Sequence, residues 1–438
     1  MTFPKRLRLW GIGGVGMSAL AEHLHQRGYL ITGYDREPSP QTERLQRLGI
    51  PIDFSPRSEA IQAAEGVIYT PAIPADFPEW AEARRRSLPV WRRAQALAEC
   101  VAPYKVLAVA GAHGKTSTSA ILTWLLHALG ASPVAFVGGI MRNFGSTYRG
   151  GEGPWAVVEA DEYDKALLLL QPEHAILLSV DPDHLEIYGS PESVVETYKI
   201  FLSQVRGLCV GPAHLPELGR SLLRYQVEGY GVREGRVYFS YTWAGGSRVV
   251  EWSQVGRHFA ENAAAALVLL EAIGYPYKDV REALRDFQGV HRRMEVYSVR
   301  NRYFLVSDYA HHPTEIKRTL EALRESFPGF RLIAVFQPHL YSRTAFFAEE
   351  FGKALSLADE VVLFPIYAAR EPSTPHVTHK LISPHVRVPV REYLPLKDNM
   401  DYFLVYFAEA PVVMAFLGAG DIYRWVAPVY NALTKSFT

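Results

Sequence analysis

Residues 105–130, KVLAVAGAHGKTSTSAILTWLLHALG, constrain the fold more than any other stretch of the chain. Val106 to Ala110 is continuously apolar, as a parallel strand covered on both faces must be. Beyond it, Ile121, Leu125 and Ala128 fall on one helical stripe with Leu122 and Leu129 beside it, and Gly130 supplies a C-terminal stop. Between strand and helix lie Gly111, Ala112, His113, Gly114, Lys115, Thr116 and Ser117, a short G-x-x-G-K-T turn. A glycine turn at that place bares backbone N–H groups toward an anion. Its lysine is suited to β and γ phosphates and its threonine hydroxyl to magnesium. The longer phosphate-loop pattern wants a glycine at 109, where this chain has Val109, so placement rather than spacing carries the nucleotide-binding reading.

A second glycine turn opens the chain. LRLWGIGGVGMSALAEHL, residues 7–24, carries Gly11, Gly13, Gly14 and Gly16 after a short apolar strand, and Asp35 ends the next apolar run 19 residues after Gly16. In a nicotinamide enzyme that acid would hold a ribose hydroxyl, so an NAD-dependent oxidoreductase is one reading of this half. It leaves residues 111–117 without a task. A non-enzymatic nucleotide switch has the opposite difficulty, since it needs no separate first glycine domain. Lys5, Arg6 and Arg8 ahead of the apolar run, with Ala19 and Ala21 behind, imitate a secretory leader. Four glycines within six positions break that helix, and the chain has only two cysteines, Cys100 and Cys209. A cytoplasmic protein without disulfides is expected.

At 438 residues about three domains are expected, each able to bury a core. Balanced charge, 46 basic against 46 acidic residues, provides no overall field for nucleic acid or an anionic membrane, so neither is expected as a partner. No apolar run approaches the roughly 18 residues that span a bilayer. Strand and helix alternate throughout, which predicts an α/β protein. The expected layout is a Rossmann-like N-terminal domain over 1–102, a central phosphate-loop ATPase domain with a mostly parallel sheet over 103–293, and a Rossmann-like C-terminal α/β domain over 294–438.

Acidic groups follow two apolar strands of the central segment. WAVVEADEYD ends its strand in Glu159, with Asp161, Glu162 and Asp164 just beyond, and AILLSVDPDHLE runs into Asp183 and His184. Hard oxygen ligands at the carboxyl ends of strands suit magnesium. Glu159 directly follows the apolar run and is the better ligand; Glu162 and Asp164 read as solvated loop charges.

These residues, with GRHFAENAAAA, FQGVHRRME, DYAHHPTEI and FQPHLYSRT in the same order, resemble the Mur ligase family, ATP-dependent enzymes that build the peptidoglycan stem peptide. The motifs are most similar to the branch that joins L-alanine to UDP-N-acetylmuramate, with the murein tripeptide ligase as the alternative. The resemblance implies that Gly11, Gly13, Gly14 and Gly16 hold the diphosphate of the UDP-sugar, with Asp35 and Thr70 near the uridine or sugar. It also implies ATP and Mg2+ at Gly111 to Ser117, metal ligation by Thr116, Glu159 and His184, and adenine contacts from His258 and Asn262. Arg292 and Asp308 would lie near the phosphates and ribose, and Lys115, His184, His311 and Arg343 would act at the reacting groups. His312 either shares proton transfer with His311 or caps its helix. Ala112 and Leu340 stand where the family usually has Thr and Arg. Lys199, 15 residues after His184, matches the spacing of a carbamylated lysine in some members, though an ordinary helix-surface lysine is the expected reading. A monomer or homodimer is expected.

Overall fold

The computed structural model describes residues 3–181, 188–233, 236–369, 371–392, 401–407 and 411–436. Three sheets carry the chain. The first takes β1 (Arg6–Trp10), β2 (Leu30–Tyr34), β3 (Ile52–Asp53), β4 (Gly66–Tyr69) and β5 (Val90–Arg92) in the order β3-β2-β1-β4-β5. All its pairings are parallel. That is a doubly wound order, whose ligand crevice lies at the carboxyl ends of the strands near the reversal at β1.

The second sheet has β6 (Lys105–Ala110), β7 (Val134–Met141), β8 (Ser146–Arg149), β9 (Trp155–Glu159), β10 (His174–Leu177), β11 (Cys209–Pro212), β12 (Leu223–Arg233), β13 (Arg236–Trp243) and β14 (Gly246–Trp252). Their order is β14-β13-β12-β11-β10-β6-β9-β7-β8, which puts β6, the strand feeding the turn at 111–117, between β10 and β9. The pairs from β12 through β7 are parallel and β7–β8 is antiparallel. The strands β12 to β14 were not anticipated; the sequence there lacks the long apolar runs that marked β6 and β9. The third sheet orders β15 (Glu295–Val299), β16 (Tyr303–Asp308), β17 (Arg331–Phe336), β18 (Glu360–Leu363), β19 (Val390–Glu392) and β20 (Val412–Leu417) as β15-β16-β20-β17-β18-β19. Only β15 runs against its neighbour.

By packing, the chain divides into two compact units. The first holds residues 1–228, 240–248 and 261–288, and the second holds 229–239, 249–260 and 289–438. Within the first unit one apolar core is continuous from Leu9, Leu20 and Leu24 of the opening sheet to Val106, Phe136, Val158 and Phe201 of the next. Polar groups close the seam: His23 Nδ1 lies 3.0 Å from the Tyr148 hydroxyl, and Arg44 holds Glu22, which also accepts from Ser146. The second unit has its own core around Leu305, Ile333, Phe403 and Phe416.

Candidate active site

β6 delivers the chain into Gly111 at φ +129°, and Gly114 follows at φ +82°, both left-handed conformations that a side chain would strain. Space forbids one as well: a Cβ on Gly111 would stand 2.8 Å from Ser179 N, and one on Gly114 2.4 Å from Asn262 Oδ1. The loop is therefore wedged between the end of β10 and Asn262, which lies against the turn itself. Helix Lys115–Ala128 starts without a side-chain cap, so its first N–H groups stay available to an anion. His113 N–H donates to Ser179 Oγ, while Thr116 and Ser117 are buried in the first turn.

Lys115 Nζ donates to Gly111 O at 2.7 Å and Ala112 O at 3.4 Å, and lies 2.8 Å from both carboxylate oxygens of Glu162. Burial works against the lysine's charge, but Glu162 and Asp161 outweigh it and hold the pKa above the ordinary value. The reading of Glu162 as a solvated loop charge is thus corrected. It is 3% exposed, with both carboxylate oxygens against Lys115. The side chain of Asp164 and the whole of His184 lie outside the described residues.

Glu159, the last residue of β9, accepts from Thr116 Oγ1 at 3.2 Å and from Gly138 N at 2.5 Å. A hydroxyl and a carboxylate side by side form a hard-oxygen pair that fits magnesium, which takes its remaining ligands from phosphate and water. Among the described residues no group of three His, Cys, Asp or Glu makes a metal site unaided. Lys199 is half-exposed on helix Pro191–Ser203 and pairs with Glu196.

The first glycine turn is also held by a carboxylate. Asp35 Oδ2 accepts from Gly13 N at 2.6 Å and Oδ1 from Arg36 N. Gly11 N and Ile12 N go to Tyr34 O, and Gly14 N to Gly11 O, so the uncapped helix start at Val15 and Gly16 is what faces an anion. Thr70 lies against Gly11, its methyl 2.4 Å from where a Cβ would stand. Sequence reasoning passed over Arg93: its guanidinium is 2.9 Å from the Cβ position of Gly16, and it pairs with Asp161 at 3.2 Å. That side chain therefore touches the helix start of the first cradle and the acidic segment of the second. No local motif marks it, because Asp161 is 68 residues away.

In the second unit, Arg292 lies between the rings of Tyr309 and Tyr423, 4.7 and 4.3 Å from their centres, and donates to Gly418 O and Gly420 O. Asp308, at the end of β16, is buried and accepts from Met294 N and Ala310 N. Burial pushes its pKa up. His311 Nδ1 lies 3.0 Å from Tyr309 O and 3.2 Å from Glu315, while His312 caps helix Pro313–Ser326 by accepting from Thr314 N. Arg343 sits half-buried in the short helix Tyr341–Phe346. His258 is half-buried near the start of helix Arg257–Ala272, its pKa pulled down to about 4 by burial and by Arg318 and Arg293.

Three family domains match in order: the Mur ligase family, catalytic domain over 7–105, the Mur ligase middle domain over 109–270, and the Mur ligase, glutamate ligase domain over 292–404. A UDP-N-acetylmuramate--L-alanine ligase of Porphyromonas gingivalis is 38% identical, covering 98% of this chain and 99% of its own. One from Gloeobacter violaceus is 36% identical over 94% and 93%. Among solved structures, the UDP-N-acetylmuramate-alanine ligase MurC of Thermotoga maritima superposes with a TM-score of 0.84 at 29% identity, covering 98% and 99%. A murein peptide ligase of Psychrobacter arcticus shares the fold with a TM-score of 0.70 at 21% identity, covering 98% and 99%. With three domains matched in order and curated relatives alike from end to end, the chain belongs to the Mur ligase family.

Proposed function

We propose that this protein joins L-alanine to the lactyl carboxylate of UDP-N-acetylmuramate at the expense of ATP, in the cytoplasmic assembly of peptidoglycan precursors. Residues 1–102 take the UDP-sugar, 103–293 the ATP, and 294–438 the amino acid. The observation that carries the reading is Arg93, set between the helix start at Gly16 and Asp161 beside the Lys115 cradle. Two anion cradles within one compact unit suit a reaction between a sugar diphosphate and a triphosphate. The rival nicotinamide reading leaves the turn over residues 111–117 without a task.

A carboxylate is a poor electrophile, so it is first activated. The lactyl carboxylate attacks the γ-phosphorus of ATP, ADP leaves, and the resulting acyl phosphate is attacked by the amine of alanine, releasing phosphate. Lys115 neutralises charge on the transferring phosphoryl group, and the N–H groups of residues 111–117 cradle the remaining phosphates. Magnesium, which Thr116 and Glu159 would hold, supplies further charge neutralisation. His311, whose ring is held through Nδ1 by Tyr309 O, is the base that takes the amine proton. Arg292, Asp308 and Arg343 position the nucleotide and the reacting groups.

The test is phosphate release by purified protein with magnesium, ATP and UDP-N-acetylmuramate, comparing L-alanine, glycine, L-serine and the murein tripeptide. L-alanine is expected to give the highest kcat/KM. Preference for the tripeptide assigns the other branch, and no ADP with any acceptor removes the ligase reading.

A further inference from the structure

The reaction above uses Lys115 and leaves Glu162 without a task. An ammonium has three protons to donate. Here Gly111 O, Ala112 O and the two oxygens of Glu162 surround it, so it has no unengaged donor for a phosphate. To reach a phosphate it must exchange one of these partners. The two carbonyls belong to the loop backbone and leave only if the turn unwinds. Glu162 differs: its backbone is pinned, with O accepting from the Tyr188 hydroxyl at 2.6 Å and from Lys165 N at 3.0 Å, but its carboxylate is held by the lysine.

From this geometry, and resting on the reading of residues 111–117 as the ATP cradle, we propose that Glu162 is a positioning residue that stands in for phosphate. Its carboxylate occupies the phosphate-facing side of Lys115 when the cradle is empty and is exchanged for a phosphate oxygen when nucleotide enters. Two consequences follow from competition between carboxylate and nucleotide for one ammonium. Nucleotide is bound more weakly than the loop alone would allow, which favours release of ADP. The empty cradle is spared a buried, uncompensated cation, which is costly.

The experiment titrates the full-length protein with a fluorescent ADP, without sugar nucleotide or amino acid, so that it does not depend on turnover. The wild type is compared with Glu162→Gln, Glu162→Asp, Lys115→Met and the Glu162→Gln/Lys115→Met double variant, together with thermal melts. Glu162→Gln is expected to lower Kd for ADP about tenfold. It should also lower Tm without nucleotide while enlarging the rise in Tm that ADP produces. Glu162→Asp, which draws the carboxylate back by one methylene, shifts Kd the same way to a smaller extent and decides the matter if the glutamine variant does not fold. With Lys115→Met present, Glu162→Gln leaves Kd unchanged. An unchanged or weaker Kd in the folded Glu162 single variants, or equal tightening without Lys115, overturns the proposal. A wild type that binds no ADP instead overturns the reading of the loop.

Discussion

At Arg93 a single guanidinium stands between the helix start after the first glycine turn and the acidic segment beside the second. It lies beside Gly16 and pairs with Asp161, and its side chain is about one quarter exposed. A charge-assisted hydrogen bond to a diphosphate contributes about 1.5–3 kcal/mol. Arg93→Ala is therefore expected to raise KM for UDP-N-acetylmuramate by about tenfold or more while the Kd for ADP stays unchanged; steady-state kinetics beside nucleotide titration checks this. Arg93 was passed over in the sequence, and Glu162 was read as a solvated loop charge, for the same reason. Glu162 is 47 residues from Lys115 and Arg93 is 68 from Asp161, and no local pattern marks a partner at that distance. Lys115, Thr116 and the glycines were legible because strand, turn and helix follow one another directly.

At the scale of elements, the opening sheet is locked by a buried ion pair. Arg8 on β1 is 1% exposed and Glu79 on helix Glu79–Arg85 is fully buried, with nitrogen-to-oxygen distances of 3.0 and 2.8 Å. Trp10 Nε1 also donates to Glu79, and Arg8 reaches Gly33 O and Asp53. Breaking a buried pair costs about 3–5 kcal/mol, and Asp53, which stays paired with Arg8, offsets part of that. Glu79→Ala is expected to lose stability of that order in urea unfolding, whereas Glu79→Gln, which keeps one acceptor oxygen, loses less. The glycine turn leaves β1 beside this pair, so the same network aims the first cradle. The apolar run before Gly11 marks β1 in the sequence; that a glutamate on a later helix meets an arginine on it depends on how the two pack.

At the scale of the whole molecule, each compact unit carries a histidine whose pKa the fold depresses. His23, 4% exposed at the seam in the first unit, is pushed down to about 4 by burial and by Arg27. His258 in the second is likewise held at about 4. Unfolding frees both to take up protons near pH 6.5, so between pH 6.5 and 4 the unfolded chain binds more protons and stability falls with pH. For His23 the loss is about 3 kcal/mol across that window. Calorimetry from pH 7 to 4.5 should show the melting temperature falling, and His23→Phe should flatten that dependence in the first unit. Local features are legible without a structure: which runs are strands, where two glycine turns lie, and which helix starts follow them. Backbone geometry and side-chain period are encoded over a few neighbours, so these survive without a structure. What meets those turns is settled by packing, which sets Asp35 on Gly13, Glu162 on Lys115 and Arg93 beside Gly16, and adds the unforeseen β12 to β14. A charge takes such a partner because packing brings distant segments together and excludes water from between them, and neither condition is written in any short stretch of chain.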